Sequence, residues 1–175
     1  LPVPGRGDDL RVRITLPAGD GTFPVVLFSH GFSSSMDAYA PLADAWAAAG
    51  MAVIQPTHLD STTLAVPPSD PRTPEIWRWR IRDLVAVLDG LDVIEDAIVA
   101  GLDRKRIAVA GHSWGATSAS ALLGAGVIGE EESWGDARVT AGVLLAVAGY
   151  GQDALSPSAA EHFPSAGLDG LRELR

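Results

Sequence analysis

Cysteine is absent from the 175 residues, which rules out disulfides, thiolate nucleophiles and zinc–thiolate sites and leaves the redox compartment unread. Positive charge is scarce: 13 Lys and Arg stand against 22 Asp and Glu, for a net charge of -9, and Lys105 is the sole lysine. A surface of that sign repels phosphate backbones, so nucleic acid is set aside as the main partner and small molecules are favoured. No apolar run approaches the roughly 18 residues of a membrane span. The first residues, "LPVPGRGDDL", lack a basic stretch followed by an apolar one, so no signal peptide is visible, and the compartment stays open. Neither H-E-x-x-H, G-x-x-x-x-G-K-[ST] nor paired histidines occur, so no metal and no nucleotide or other cofactor is implied.

What the chain has in quantity is apolar residues, 47%, enough for one sizeable core in a single domain over 1–175. Leu10, Val12, Ile14 and Leu16 alternate with Arg11, Arg13 and Thr15, the period of a strand with one solvated face, read as an outer strand. "PVVLFS" (24–29), "MAVIQ" (51–55), "RIAVAG" (106–111) and "AGVLLAVAG" (141–149) are continuous apolar runs, as parallel strands covered on both faces require. Between them, 38–50 places Tyr39, Leu42 and Trp46 on one helical face and stops at Gly50. The stretch 73–98 reads as one long helix with Thr73 as N-cap, Pro74 in the first turn and Ile81, Leu84, Leu88 and Leu91 on its apolar face. Strand alternating with helix predicts an α/β fold, a mostly parallel sheet with helices on both faces. The proline-rich loop 60–74 follows a strand's C-terminal end, the edge where such sheets bind ligands.

The sharpest motif is "GHSWG", 111–115, between the strand "RIAVA" and the helix-forming "ATSASALL". G-x-S-x-G in a strand–turn–helix context is a nucleophile elbow: a strained turn lifts the Ser113 hydroxyl above the sheet, and the glycines let strand and helix approach. The helix that follows aims its N-terminus at Ser113, where a developing oxyanion is favoured. An oxyanion hole needs a second donor from an earlier strand-to-helix loop, and "FSHGFSSS" (28–35) supplies one. The expected donors are the N–H groups of Phe32 and Trp114, with Gly31 permitting the tight turn. "GAGVIG" (124–129) matches G-x-G-x-x-G but follows a helix, the wrong context for a dinucleotide. "WRWRIR" (77–82), which resembles an aromatic–arginine single-strand binder, splits on a helix into an apolar and a charged face.

"VVLFSHGFSSSMDAYAPLADAWAAAGMAVIQPTHLDS" and "RIAVAGHSWG" together resemble the α/β-hydrolase superfamily, in particular the bacterial esterase group around dienelactone hydrolases, chlorophyllases, platelet-activating-factor acetylhydrolases and cutinase-like polyester hydrolases. The likeness runs from Phe23 to Phe163. It implies a carboxylester hydrolase with Ser113 as nucleophile and Phe32 and Trp114 as oxyanion donors, acting on a small-molecule ester; Phe32, Met36 and Trp114 suggest an apolar one. Ala116 departs from the second glycine common after the elbow, and alanine suits a helix.

The triad is the larger departure, because in such hydrolases acid and histidine follow the serine on later strands. After Ser113 one further strand, 141–149, can be placed. Asp153 just past it is a weak candidate acid and His162, the one histidine after the serine, a weak candidate base, the plainer reading of each being a loop residue. His58 is weighed for the wall of a substrate pocket, His30 for bracing the oxyanion loop, and His112 is expected to point away from Ser113. A doubly apolar strand at the sheet edge would be bare, so the fold is expected to be C-terminally incomplete, or to pair through 141–149 with a missing segment or a second copy. Two other readings stay open: a non-catalytic, hydrolase-like binding module, and one half of a two-chain hydrolase.

Overall fold

The computed structural model describes residues 1–126 and 133–147. Five strands, β1 (Val12–Thr15), β2 (Thr22–Ser29), β3 (Ala52–Pro56), β4 (Gly101–His112) and β5 (Val139–Leu145), form one sheet in the order β1-β3-β2-β4-β5. β1 runs antiparallel to β3 and every other pairing is parallel. The outer place of β1 matches its alternating pattern, since Leu10, Val12, Ile14 and Leu16 turn to the core while Arg13 reaches out to Asp37 at 3.0 Å.

Alternation along the central strands builds two cores. Val25 and Leu27 of β2, Ala52 and Ile54 of β3, and Ile107 and Val109 of β4 face α2 (Ile76–Asp89), α3 (Leu91–Asp96) and α4 (Trp114–Leu122). Val26, Phe28, Val53 and Ala110 face the other way, onto Leu42 and Trp46 of α1 (Ala40–Ala48) and onto Tyr39 just before it. Both faces of each strand are thus buried, which is why the runs read as continuously apolar. α1 ends at Gly50 with φ +92°, the left-handed turn that glycine adopts without strain. β4 is longer than its apolar run because its first residues pair with Thr22–Pro24 before the register shifts at Pro24/Val25; proline has no N–H to continue the ladder there.

Two expectations are corrected. The single helix over 73–98 is instead a 3-10 turn (Thr73–Glu75) followed by α2 and α3, divided at Gly90, where a Cβ would crowd the Leu1 side chain at 2.8 Å and the Ala86 carbonyl at 3.0 Å. Thr73 does not cap; its hydroxyl donates to the Pro67 carbonyl at 3.4 Å. The described part of the run 141–149 is not covered on both faces: β5 stands at the sheet edge, the bare position expected of the last strand, and is largely exposed, with Val143 42% and Leu145 37% accessible. No helix among the described residues is long and apolar enough to cross a membrane.

Candidate active site

Ser113 sits between the end of β4 and the start of α4 with φ 53° and ψ -121°, a conformation that costs a non-glycine residue roughly 1–3 kcal/mol and persists when its surroundings enforce it. The surroundings here are specific. The Ser113 N–H donates to the Leu145 carbonyl at 2.8 Å, and its carbonyl accepts from Ala116 and Thr117 at 2.9 and 3.2 Å, so both sides of the turn are held. A Cβ on Gly111 would collide with the Gly115 backbone, and one on Gly115 with the Ser29 and His30 carbonyls. The first turn of α4 therefore lies directly on the end of β2, and the dipole of α4 begins at Ser113.

That contact brings the loop after β2 to the elbow. The Phe32 and Trp114 rings meet edge-to-face with centroids 5.1 Å apart. The Gly31 N–H donates to Tyr39 Oη at 3.2 Å, and that hydroxyl lies 2.9 Å from His112 Nδ1, so the tyrosine straps the loop to the residue before the nucleophile. His112 thus turns to Tyr39 rather than to Ser113. Ser33, with φ 53°, donates its N–H to Asp60 Oδ2 at 3.0 Å, and Thr62 N–H donates to the Ser34 carbonyl at 3.1 Å, so the loop after β3 closes against the same segment.

Beneath this surface lies a buried polar network that the sequence reading did not anticipate. Asp83 Oδ2 accepts from His58 Nδ1 at 2.9 Å, and His58 Nε2 accepts from the Ser29 hydroxyl at 2.9 Å. Acid, imidazole and serine stand in triad order, yet Asp83, His58 and Ser29 are each 0% exposed, and no substrate could reach them. His58 is accordingly not a pocket wall. Arg6, 1% exposed, enters from the N-terminal segment and donates to Asp83 Oδ1 at 2.9 Å and to the Thr57 carbonyl at 2.7 Å. Burial first, then the Arg80 charge, pushes His58 well below its ordinary value; the same two causes hold His30 at about 4. Both imidazoles are neutral: His30 Nδ1 donates to the Gly31 carbonyl at 2.7 Å while its Nε2 accepts from the His58 N–H at 3.3 Å. Burial raises Asp83 to about 7 against the pull of Arg6.

Arg80 completes the network. On α2 it is 0% exposed and bonds Asp60 through Nη1 at 2.6 and 2.7 Å, Ser118 Oγ through Nε at 3.2 Å, and Ser29 Oγ at 3.3 Å and the His30 carbonyl through Nη2. A signal for it existed. Arg80 and Asp83 lie four and seven residues after Ile76, on the stripe that carries Leu84 and Val87, so both charges fall on the buried face of α2.

Among the described residues no side chain hydrogen-bonds to Ser113 Oγ, and no group of three or more His, Cys, Asp or Glu is placed to hold a metal ion. Asp153 and His162 lie outside the described residues.

Sheet order, elbow and flanking helices define an α/β-hydrolase fold. The chain belongs to the chlorophyllase family, whose family model matches residues 8–130. No curated protein matches it. Among solved structures it is similar to the esterase Est22 in complex with p-nitrophenol, at 20% identity and a TM-score of 0.56, covering 70% of this chain and 36% of that one. It is also similar to a thermostable esterase from Pseudomonas putida, at 21% identity and 0.52, covering 70% and 35%. A third is a putative dipeptidyl aminopeptidase IV from Bacteroides ovatus, at 17% and 0.53, covering 67% and 17%. The chain thus spans little more than a third of the length of these esterases, and the likeness is one of fold. Esterases and a putative peptidase share it, so the reaction has to be argued from the site.

Proposed function

We propose that this protein is a serine carboxylester hydrolase that works through an acyl-enzyme on Ser113. The observation that carries the reading is the elbow: a strained, positive-φ serine between two glycines that admit no side chain, at the head of α4 and against the loop after β2. In the reaction, Ser113 Oγ attacks the ester carbonyl carbon and loses its proton to a base. The carbonyl oxygen becomes an oxyanion held by the Phe32 and Trp114 N–H groups; the alcohol leaves with a proton, and water hydrolyses the acyl-serine. Gly31 supports the assignment of Phe32, because its own N–H is committed to Tyr39. Asp153 and His162 are the candidate acid and base. Membership of the chlorophyllase family and the fold of known esterases agree with this chemistry. Phe32, 45% exposed beside Trp114, offers apolar surface next to the elbow, which favours a hydrophobic ester.

The test is mass spectrometry of the full protein after treatment with a fluorophosphonate, alongside hydrolysis of a p-nitrophenyl ester. The expected result is one adduct, located on Ser113, and turnover that vanishes in Ser113→Ala. Ester binding with neither adduct nor turnover would overturn the proposal in favour of a non-catalytic binding module.

A further inference from the structure

Both expected oxyanion donors hang from one buried side chain. On the loop side, Arg80 Nη2 holds the carbonyl of His30, and Arg80 Nη1 holds Asp60, whose Oδ2 takes the Ser33 N–H at 3.0 Å. Those two ties bracket Phe32 from either side along the chain. On the helix side, Nε donates to Ser118 Oγ at 3.2 Å, and that hydroxyl donates to the Trp114 carbonyl at 3.1 Å. The Trp114 ring also stands 5.1 Å from the guanidinium carbon. All three guanidinium nitrogens thereby donate, to the loop, to α4, to the loop after β3 and to Ser29.

Resting on the ester-hydrolase reading, we propose that Arg80 is a positioning residue for the oxyanion hole: its rigid planar fork fixes the Phe32 and Trp114 peptide groups relative to each other. Preorganised donors act only if they already point to where the oxyanion forms, and a loosened pair has to be ordered during the reaction. A compact ammonium cannot hold four acceptors in a fixed plane, so lysine keeps the charge and loses the geometry. The role differs from that of a buried counter-charge, which would need only Asp60.

The experiment uses the full protein as wild type, Arg80→Lys, Arg80→Met and Ser118→Ala. It follows the rate and final amplitude of fluorophosphonate adduct formation, and kcat and KM on a short p-nitrophenyl ester. The expected outcome for Arg80→Lys is an adduct amplitude still near one per chain, a kcat lowered about 10–100-fold, and KM changed less than about 2-fold. Arg80→Met falls further, and Ser118→Ala, which cuts only the tie to α4, loses about 3–10-fold in kcat in the same pattern. A folded Arg80→Lys that reacts at the wild-type rate overturns the proposal. So does a loss confined to amplitude, the signature of a merely structural part. Where the Arg80 variants do not fold, Ser118→Ala decides, and an unchanged kcat there refutes the role. A wild-type protein that takes no adduct on Ser113 refutes the ester-hydrolase reading itself, before any Arg80 variant is compared, and this inference falls with it.

Discussion

Two serines at the C-terminal edge of the sheet divide the attributes of a nucleophile between them. Ser29, at the end of β2, has an imidazole at 2.9 Å and an aspartate behind it, but is 0% exposed. Ser113, at the end of β4, is partly open and heads a helix, while no described side chain hydrogen-bonds to its Oγ. Residue order in a hydrogen-bond chain does not identify a catalytic group. Ser29 has an acceptor for its proton in His58 and a donor to its oxygen in Arg80, and what keeps it from attack is burial, which lets no substrate carbonyl reach it. The elbow does the reverse, spending backbone strain to hold a hydroxyl where a substrate can reach it.

The largest effect expected from breaking this contrast is on the reaction. Ser113→Ala should lower ester hydrolysis by about 10⁴-fold or more in kcat, read in a p-nitrophenyl assay, while Ser29→Ala retains the fluorophosphonate adduct on Ser113. Next comes stability. Asp83→Ala leaves the Arg6 guanidinium buried without its carboxylate and should cost about 3–5 kcal/mol in urea unfolding. An Asp83→Ala protein as stable as wild type would show that the sealed cluster is not an ion-paired strut.

The parallel strands were legible because both of their faces are buried, and the elbow because glycine, serine and glycine fall between a strand and a helix. The sealed cluster was not. Charge on a helix is read as solvated, so the arginines of "WRWRIR" were assigned together to one polar face, whereas Arg80 is buried and Arg78 reaches Glu75 nearer the surface. His58 was weighed for a pocket wall rather than for a buried cluster because its partners Asp83 and Ser29 are 25 and 29 positions away, and no local pattern joins them. The bare edge at β5 was legible from its place as the last strand, whereas the exposure of its faces was not, since burial of an apolar run is set by neighbours remote in the chain.

Acid sharpens the comparison further, because the sealed cluster is where titration acts on the fold. His30, held at about 4, and His58, held well below its ordinary value, bind protons less readily folded than unfolded. Their contribution is complete above about pH 6.5 and is lost as pH falls towards about 4. Asp83 runs the other way: raised to about 7 by burial, it takes its proton more readily in the folded state. Two groups lose where one gains, so stability should fall as the pH drops from about 6.5 towards 4.5. His30→Asn, which keeps an N–H for the Gly31 carbonyl, should flatten that dependence; urea midpoints across the range measure it.

The smallest effects carry opposite signs at the two serines. Ser29→Ala leaves His58 Nε2 and an Arg80 N–H short of a buried partner and should destabilise by about 1–3 kcal/mol. Ser113→Gly should do the opposite. Glycine adopts φ 53°, ψ -121° without the steric cost that serine bears, and that relief outweighs the greater entropy glycine brings to the unfolded chain, for a net gain of about 0.5–1 kcal/mol. Paired thermal melts of the two variants compare them directly. A Ser113→Gly protein less stable than wild type would mean that the Ser113 hydroxyl itself supports the fold; the strain would then not be held for access, and the distinction between the open and the sealed serine would lose its energetic basis.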